Sequence, residues 1–147
     1  MDKKSLINSL KKQNFPEQII EAFENAEIEI YLEHKNEFGN LFMIAFMLTL
    51  LEIKKGHRIL EIGSESDYLS ALLSELNSSG KIYRQDSKKV WGESFDRIIV
   101  SSKCKRIPNK LLKQLKFKGI MIVPLQDKIV VVKKDSGENK IQEYPLF

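Results

Sequence analysis

From Arg58 onward the chain alternates short β-branched runs with helical patterns, and that alternation restricts it to one architecture. Arg58-Ile59-Leu60-Glu61-Ile62 reads as a buried strand closed by Gly63, and Tyr68 to Leu76 as a helix with Ser66 as its candidate N-cap. Asn77-Ser78-Ser79-Gly80 is a loop, Lys81 to Gln85 a second strand, and Phe95-Asp96-Arg97-Ile98-Ile99-Val100 a third. Pro108 to Leu115 reads as a helix with Ile107, Leu111, Leu112 and Leu115 on one side, and Gly119 opens a fourth strand over Ile120 to Val123. Repeated strand–helix–strand units imply a mainly parallel sheet with helices on its faces. Lys128 to Lys133 and Lys140 to Tyr144 flank Asp135-Ser136-Gly137 and read as a hairpin, which adds antiparallel edge strands.

The first third of the chain is helical in pattern. Ser5 to Gln13 and Pro16 to Ala26 read as two short helices, and Pro16 suits a first turn. A polar loop with His34, Lys35, Asn36 and Glu37 precedes a strongly apolar helix, Leu41 to Ile53, with Gly56 as its C-terminal cap. Leu41 to Leu51 is interrupted only by Thr49. A membrane span needs about 20 apolar residues, so this run is read as a buried helix. The expected organisation is one domain over 1–147, with helices in 1–55 and the sheet core in 56–147. Hydrophobic residues make up 42% of the chain and the net charge is only +4, which excludes a disordered chain. The single thiol, Cys104, cannot form an internal disulfide, and no apolar signal core follows the first lysines; both point to the cytoplasm.

Four segments, in order, resemble the protein-L-isoaspartate O-methyltransferases. They are Ile59 to Gly63 with Tyr68 and Ala71-Leu72-Leu73; Gly80-Lys81-Ile82-Tyr83; Phe95 to Val100 with Ile107-Pro108 and Leu111 to Lys116; and Gly119 to Pro124 with Ile129 to Val132 and Pro145-Leu146. Ile20-Glu21-Ala22-Phe23 is similar to the family's opening. The resemblance implies an α/β fold of the Rossmann-like class I methyltransferase type, with a reduced sheet. It implies S-adenosylmethionine as cofactor and methyl transfer to isoaspartyl carboxylates, a protein-repair step. The implied cofactor-binding residues are Glu61, Gly63, Ser64 and Asp86.

The chain departs from the family pattern in three places. The family's G-x-G-x-G run is Gly63-Ser64-Glu65-Ser66-Asp67 here, so one glycine remains and two acids enter the loop. Those acids read equally as first-turn residues that favour the helix dipole. Asp86 lies 23 residues after Gly63, the spacing of a ribose-binding acid. It also matches the acid loop after the family's third strand, and the eight residues between Asp86 and Phe95 leave no room for a helical crossover of a dozen or more. One strand and one helix are therefore expected to be missing. Third, the family's T-I-S-Q-P run aligns with Phe38-Gly39-Asn40-Leu41, so Gly39 stands for the serine and no catalytic residue is carried over.

Three readings stay open on sequence. One is a methyltransferase acting on isoaspartyl proteins or peptides. Another is a catalytically inactive relative that serves as an interaction module, paired as a homodimer or with a protein partner at an exposed sheet edge. The last is a nucleic-acid-binding domain using the acid-free stretch 103–118, with Lys103, Lys105, Arg106, Lys110, Lys113, Lys116 and Lys118. The bland reading of that stretch, a solvated helix face, ranks above it. His34 and His57 have no metal-ligand spacing, and Cys104, Trp91, Ser101 and Ser102 read as structural.

Overall fold

The computed structural model describes residues 2–28, 37–63, 68–85, 94–136 and 138–146, with the backbone alone for 37–40 and 85. The order is α1 (Lys3–Lys12), α2 (Glu17–Asn25), α3 (Glu37–Leu51), β1 (Arg58–Ile62), α4 (Tyr68–Leu76), β2 (Lys81–Gln85), β3 (Phe95–Val100), α5 (Asn109–Leu112), β4 (Leu115–Pro124), β5 (Lys128–Lys134) and β6 (Asn139–Pro145). The sheet runs β2-β1-β3-β4-β5-β6. The first four of these strands are mutually parallel, and β5 and β6 add to β4 antiparallel. The α/β class and the antiparallel hairpin are therefore both present.

The two faces of the sheet are covered unequally. On one face Ile59, Ile99, Ile122 and Val131 share a core with α1, α2, α3 and α4. On the other, Leu60, Ile98, Met121 and Val132 pack with Leu111 of α5 and with Cys104. Helix α3 buries Leu41, Ile44, Ala45, Met47, Leu48 and Leu51 in the first core. It packs on β4 and β5 and also against α2, so apolar residues suit most of its circumference. Thr49, the one polar residue between Leu41 and Leu51, returns its hydroxyl to the Ala45 carbonyl at 2.7 Å.

Several boundaries differ from the sequence expectation: α3 begins at Glu37, inside the expected polar loop, most other ends shift by one or two residues, and two differences have a visible physical cause. The helix expected over Pro108–Leu115 is the single turn α5, because Leu115 already pairs with Phe95 as the first residue of β4. The register of β4 against β3 shifts between Phe95 and Arg97, and Lys118 enters the left-handed region at φ 67°. The two features let one strand begin four residues before Gly119. Helix α3 ends at Leu51, and the left-handed residue after it is Glu52 (φ 51°), not Gly56, which turns the chain into β1. The helix end is held from outside, by a guanidinium that reaches it from β3.

The sequence Phe95-Asp96-Arg97 ties three parts together. Phe95 is fully buried. Asp96 accepts the Arg58 amide at 2.8 Å, fixing the start of β1. Arg97 is 6% exposed; its Nε donates to the Leu51 carbonyl at 2.7 Å and its Nη2 to the Glu52 carbonyl at 3.0 Å. These are the carbonyls that a helix C-terminus leaves without intrahelical partners.

His57 sits beside this junction and accepts the Lys54 amide on Nδ1 at 3.1 Å, which requires a neutral ring. Burial, with the nearby Arg97 charge, holds its pKa below the usual histidine value. The unfolded chain therefore binds more protons than the folded chain once pH falls through about 6.5. Stability is fully present above that pH and declines below it. A His57→Gln chain should show a flatter profile of denaturation midpoint between neutral and mildly acidic pH. An unchanged slope would show that His57 does not carry this dependence.

Candidate active site at the carboxyl ends of the strands

Strand β1 leads through α4 to β2 on one side, while β3 lies on its other side. The carboxyl ends of β1 and β3 therefore diverge at a topological switch point, where open α/β sheets hold ligands. Gly63 is the first residue beyond β1 and has φ +86°, a conformation that a side chain strains. Immediately beyond β3, Ser101 donates its amide to the Ile62 carbonyl at 2.8 Å and its hydroxyl to the same oxygen at 3.2 Å. A Cβ on Gly63 would meet Ser102 Oγ at 2.5 Å, so this hydroxyl lies directly against the turn. Further along, the Cys104 amide donates to the Pro124 carbonyl at 2.9 Å. Residues 101–104 thus line the carboxyl ends of β1, β3 and β4 with two hydroxyls.

Glu61 precedes this turn by two residues and is 0% exposed. Ser70 of α4 donates its hydroxyl to Oε2 at 2.6 Å. Arg84 of β2 brings Nε to 4.0 Å from Oε1, and that oxygen makes no hydrogen bond in the structure. Among the described residues this buried carboxylate is bonded to the Ser70 hydroxyl and lies beside the Arg84 guanidinium, which ties β1 to α4 and β2.

Glu61 and Gly63 therefore lie at the switch point, while Ser64 and Asp86 fall outside the described residues, as do Glu65, Ser66, Asp67, His34 and Trp91. Gly39 lies in the first turn of α3, and nothing is described beyond its backbone. The sequence signal for Ser101 and Ser102 is their place at the end of the third strand, a weak one on its own. Ser70 and Arg84 carry no sequence signal, since only the register Glu61↔Arg84 and the packing of α4 bring them to Glu61. Among the described residues no group of three or more His, Cys, Asp or Glu side chains could hold a metal ion. The rim offers a turn backbone and hydroxyls, groups that orient a ligand.

Residues 1–83 and 81–145 match the family model described as Protein-L-isoaspartate(D-aspartate) O-methyltransferase (PCMT). The two matched segments overlap at 81–83, in the first residues of β2. The chain is 34% identical over 134 aligned positions to the protein-L-isoaspartate O-methyltransferase of Fervidobacterium nodosum, covering 69% of this chain and 67% of that protein. With the Methanosarcina mazei protein of the same name it shares 31% identity over 143 positions, covering 75% of this chain. It spans only 59% of that relative's length. The alignment with the Methanococcoides burtonii protein of that name, at 29% identity, runs over 170 positions and covers 91% of this chain and 84% of that protein. It is longer than the chain's 147 residues, so that relative carries residues absent here.

Two solved structures share the fold. One is a protein-L-isoaspartate O-methyltransferase, with TM-score 0.77 at 18% identity, covering 99% of this chain and 64% of that one. The other is a Plasmodium falciparum protein described as a putative protein-L-isoaspartate O-methyltransferase, in complex with S-adenosyl-L-homocysteine. It has TM-score 0.72 at 16% identity and covers 100% of this chain and 95% of that one.

Proposed function

This chain belongs to the protein-L-isoaspartate(D-aspartate) O-methyltransferase family, and we propose that it binds S-adenosylmethionine at the carboxyl ends of β1, β2 and β3 and methylates isoaspartyl carboxylates of damaged polypeptides. The observation that supports the reading most is the left-handed turn at Gly63, placed at the switch point with Ser102 against it. The falciparum relative's complex with S-adenosyl-L-homocysteine, the demethylated form of that cofactor, favours the same ligand.

On this reading the site holds the ligand in a reduced form, with one glycine, Gly63, left at the turn. Gly63 and the neighbouring Ser64 offer main-chain groups to the amino-acid end of the cofactor, and Asp86 accepts its ribose hydroxyls. Glu61, buried and bonded to Ser70, stands directly before the turn on the cofactor side of β1 and counts among the cofactor-binding residues. When bound, the cofactor supplies a methyl group on a positively charged sulfur. The acceptor carboxylate is already ionised at neutral pH, with an ordinary pKa of about 4, so it needs no general base. This chain's task is to hold the two reactants in line and exclude water, and a serine in place of Gly39 is not chemically required.

The acceptor, on this reading, is a cytoplasmic polypeptide. Among the described residues no helix is long and apolar enough to cross a membrane. Partner contact falls at the β6 edge, where Asn139 to Glu143 are exposed; sedimentation as a monomer at every accessible concentration would remove the homodimer. The activity is tested by incubating the full chain with labelled S-adenosylmethionine and either an isoaspartyl peptide or its aspartyl counterpart. Base-labile methyl ester on the isoaspartyl peptide alone is expected, and no transfer at saturating cofactor would contradict the proposal.

A further inference from the structure

Beyond Cys104 the β3–α5 connection turns away from the Pro124 carbonyl and bounds a surface hollow of ≈ 480 Å³ lined by Arg106, Ile107, Pro108, Asn109 and Lys110. Arg106 is two residues from Cys104 and four from Ser102, so the hollow begins within about 7 Å of Cys104 and about 14 Å of Ser102. Arg106 and Lys110 are exposed, and none of the ion pairs among the described residues engages either of them. Lys116, by contrast, is paired with Asp96 at 3.8 Å. Ile107 is partly buried against the core of that face and gives the hollow an apolar floor. Two unpaired cations over apolar groups form a receptor for an anion that carries carbon with its charge.

We propose that this hollow binds an acidic segment of the polypeptide acceptor, with Arg106 and Lys110 pairing its carboxylates and Asn109 bonding its main chain. The inference rests on the methyltransferase reading for the identity of the acceptor, and on the hollow alone for its charge. A peptide fits better than a nucleic acid, because among the described residues no aromatic side chain lines the hollow to stack a base. Asn109 offers both a donor and an acceptor, the pair that a peptide group presents. Lys103, Lys105 and Lys113 are exposed in the same stretch and extend the positive field towards an arriving acidic chain.

The test uses the full chain and three fluorescent probes: a short peptide of glutamates and glycines, a neutral peptide of equal length, and a single-stranded oligonucleotide. The acidic peptide should bind at low salt, weaken as salt rises, and lose affinity by roughly tenfold in an Arg106→Gln/Lys110→Gln chain. A Lys54→Gln/Lys55→Gln chain serves as the charge-matched control and should bind as the parent does. Equal binding of acidic and neutral peptides, or an unchanged affinity in the Arg106/Lys110 variant, would overturn the proposal. Tighter binding of the oligonucleotide than of the acidic peptide would overturn it in favour of a nucleic-acid surface. S-adenosylmethionine binding is measured on the same preparations. Cofactor binding without acidic-peptide binding sinks the hollow alone; the reverse sinks the methyltransferase reading and leaves the hollow standing.

Discussion

Replacing Arg97 with methionine will lower the unfolding free energy by about 2–3 kcal/mol, because the buried Leu51 carbonyl that ends α3 and the part-buried Glu52 carbonyl after it lose their charged donor. Methionine keeps much of the volume, so the loss reports the guanidinium bonds to Leu51 and Glu52 and not an empty space. These bonds join the apolar helix to the centre of the sheet, and a natural domain has only about 5–15 kcal/mol in all. Thermal unfolding should shift down by about 10 °C. Arg97→Lys should fall between, since one ammonium cannot reproduce the fork that serves Leu51, Glu52 and the Asp96 carbonyl together. A methionine variant within about 0.5 kcal/mol of the parent would mean that water satisfies the α3 carbonyls equally well.

Gly63→Ala carries the second large effect, and Gly56→Ala supplies its control. Both glycines have nearly the same backbone, φ +86° and +88°, so both substitutions meet the left-handed cost of about 1–2 kcal/mol. They differ in surroundings. A Cβ at Gly56 meets nothing within 4 Å, whereas at Gly63 it meets Ser102 Oγ at 2.5 Å, Ser102 Cβ at 3.2 Å and the Ser102 amide at 3.3 Å. Gly63→Ala should therefore cost about 1–2 kcal/mol more than Gly56→Ala, as overpacking does. Ser102→Gly should recover part of that excess in the double variant, because it removes the hydroxyl and its carbon but leaves the amide. Equal losses at the two glycines would show that Ser102 does not press on the turn. The comparison also gives Gly63 a role in the fold that is independent of any ligand.

Strands β1, β2 and β3 and helix α4 were legible to the residue, because each is bounded by a glycine, a polar turn or a sharp change of period. The shortening of α5 was not. Leu111, Leu112 and Leu115 fit a helical face, yet Leu115 gains more as the partner of Phe95 in the sheet, and the shifted register that permits it has no local signature. The α3 terminus misled for a similar reason. Gly56 is the obvious cap, but a guanidinium 46 residues away from Leu51 replaces the capping motif and lets Glu52 take the left-handed turn. At the candidate site, Gly63 was legible because its conformation is local. The company of Glu61 was not, because Ser70 and Arg84 reach it only through tertiary packing and strand register.

The most direct test of the central claim, that a cofactor site persists at this rim, is calorimetric titration of the full chain with S-adenosylmethionine, with thermal unfolding followed in parallel. A ligand at about 100 times its dissociation constant should raise stability by roughly 2.7 kcal/mol. The account predicts one site per chain, with affinity lost in Asp86→Ala while that variant's fold remains intact. No heat and no thermal shift at millimolar cofactor would contradict it, and would mark this chain as one that keeps its family's fold without its cofactor.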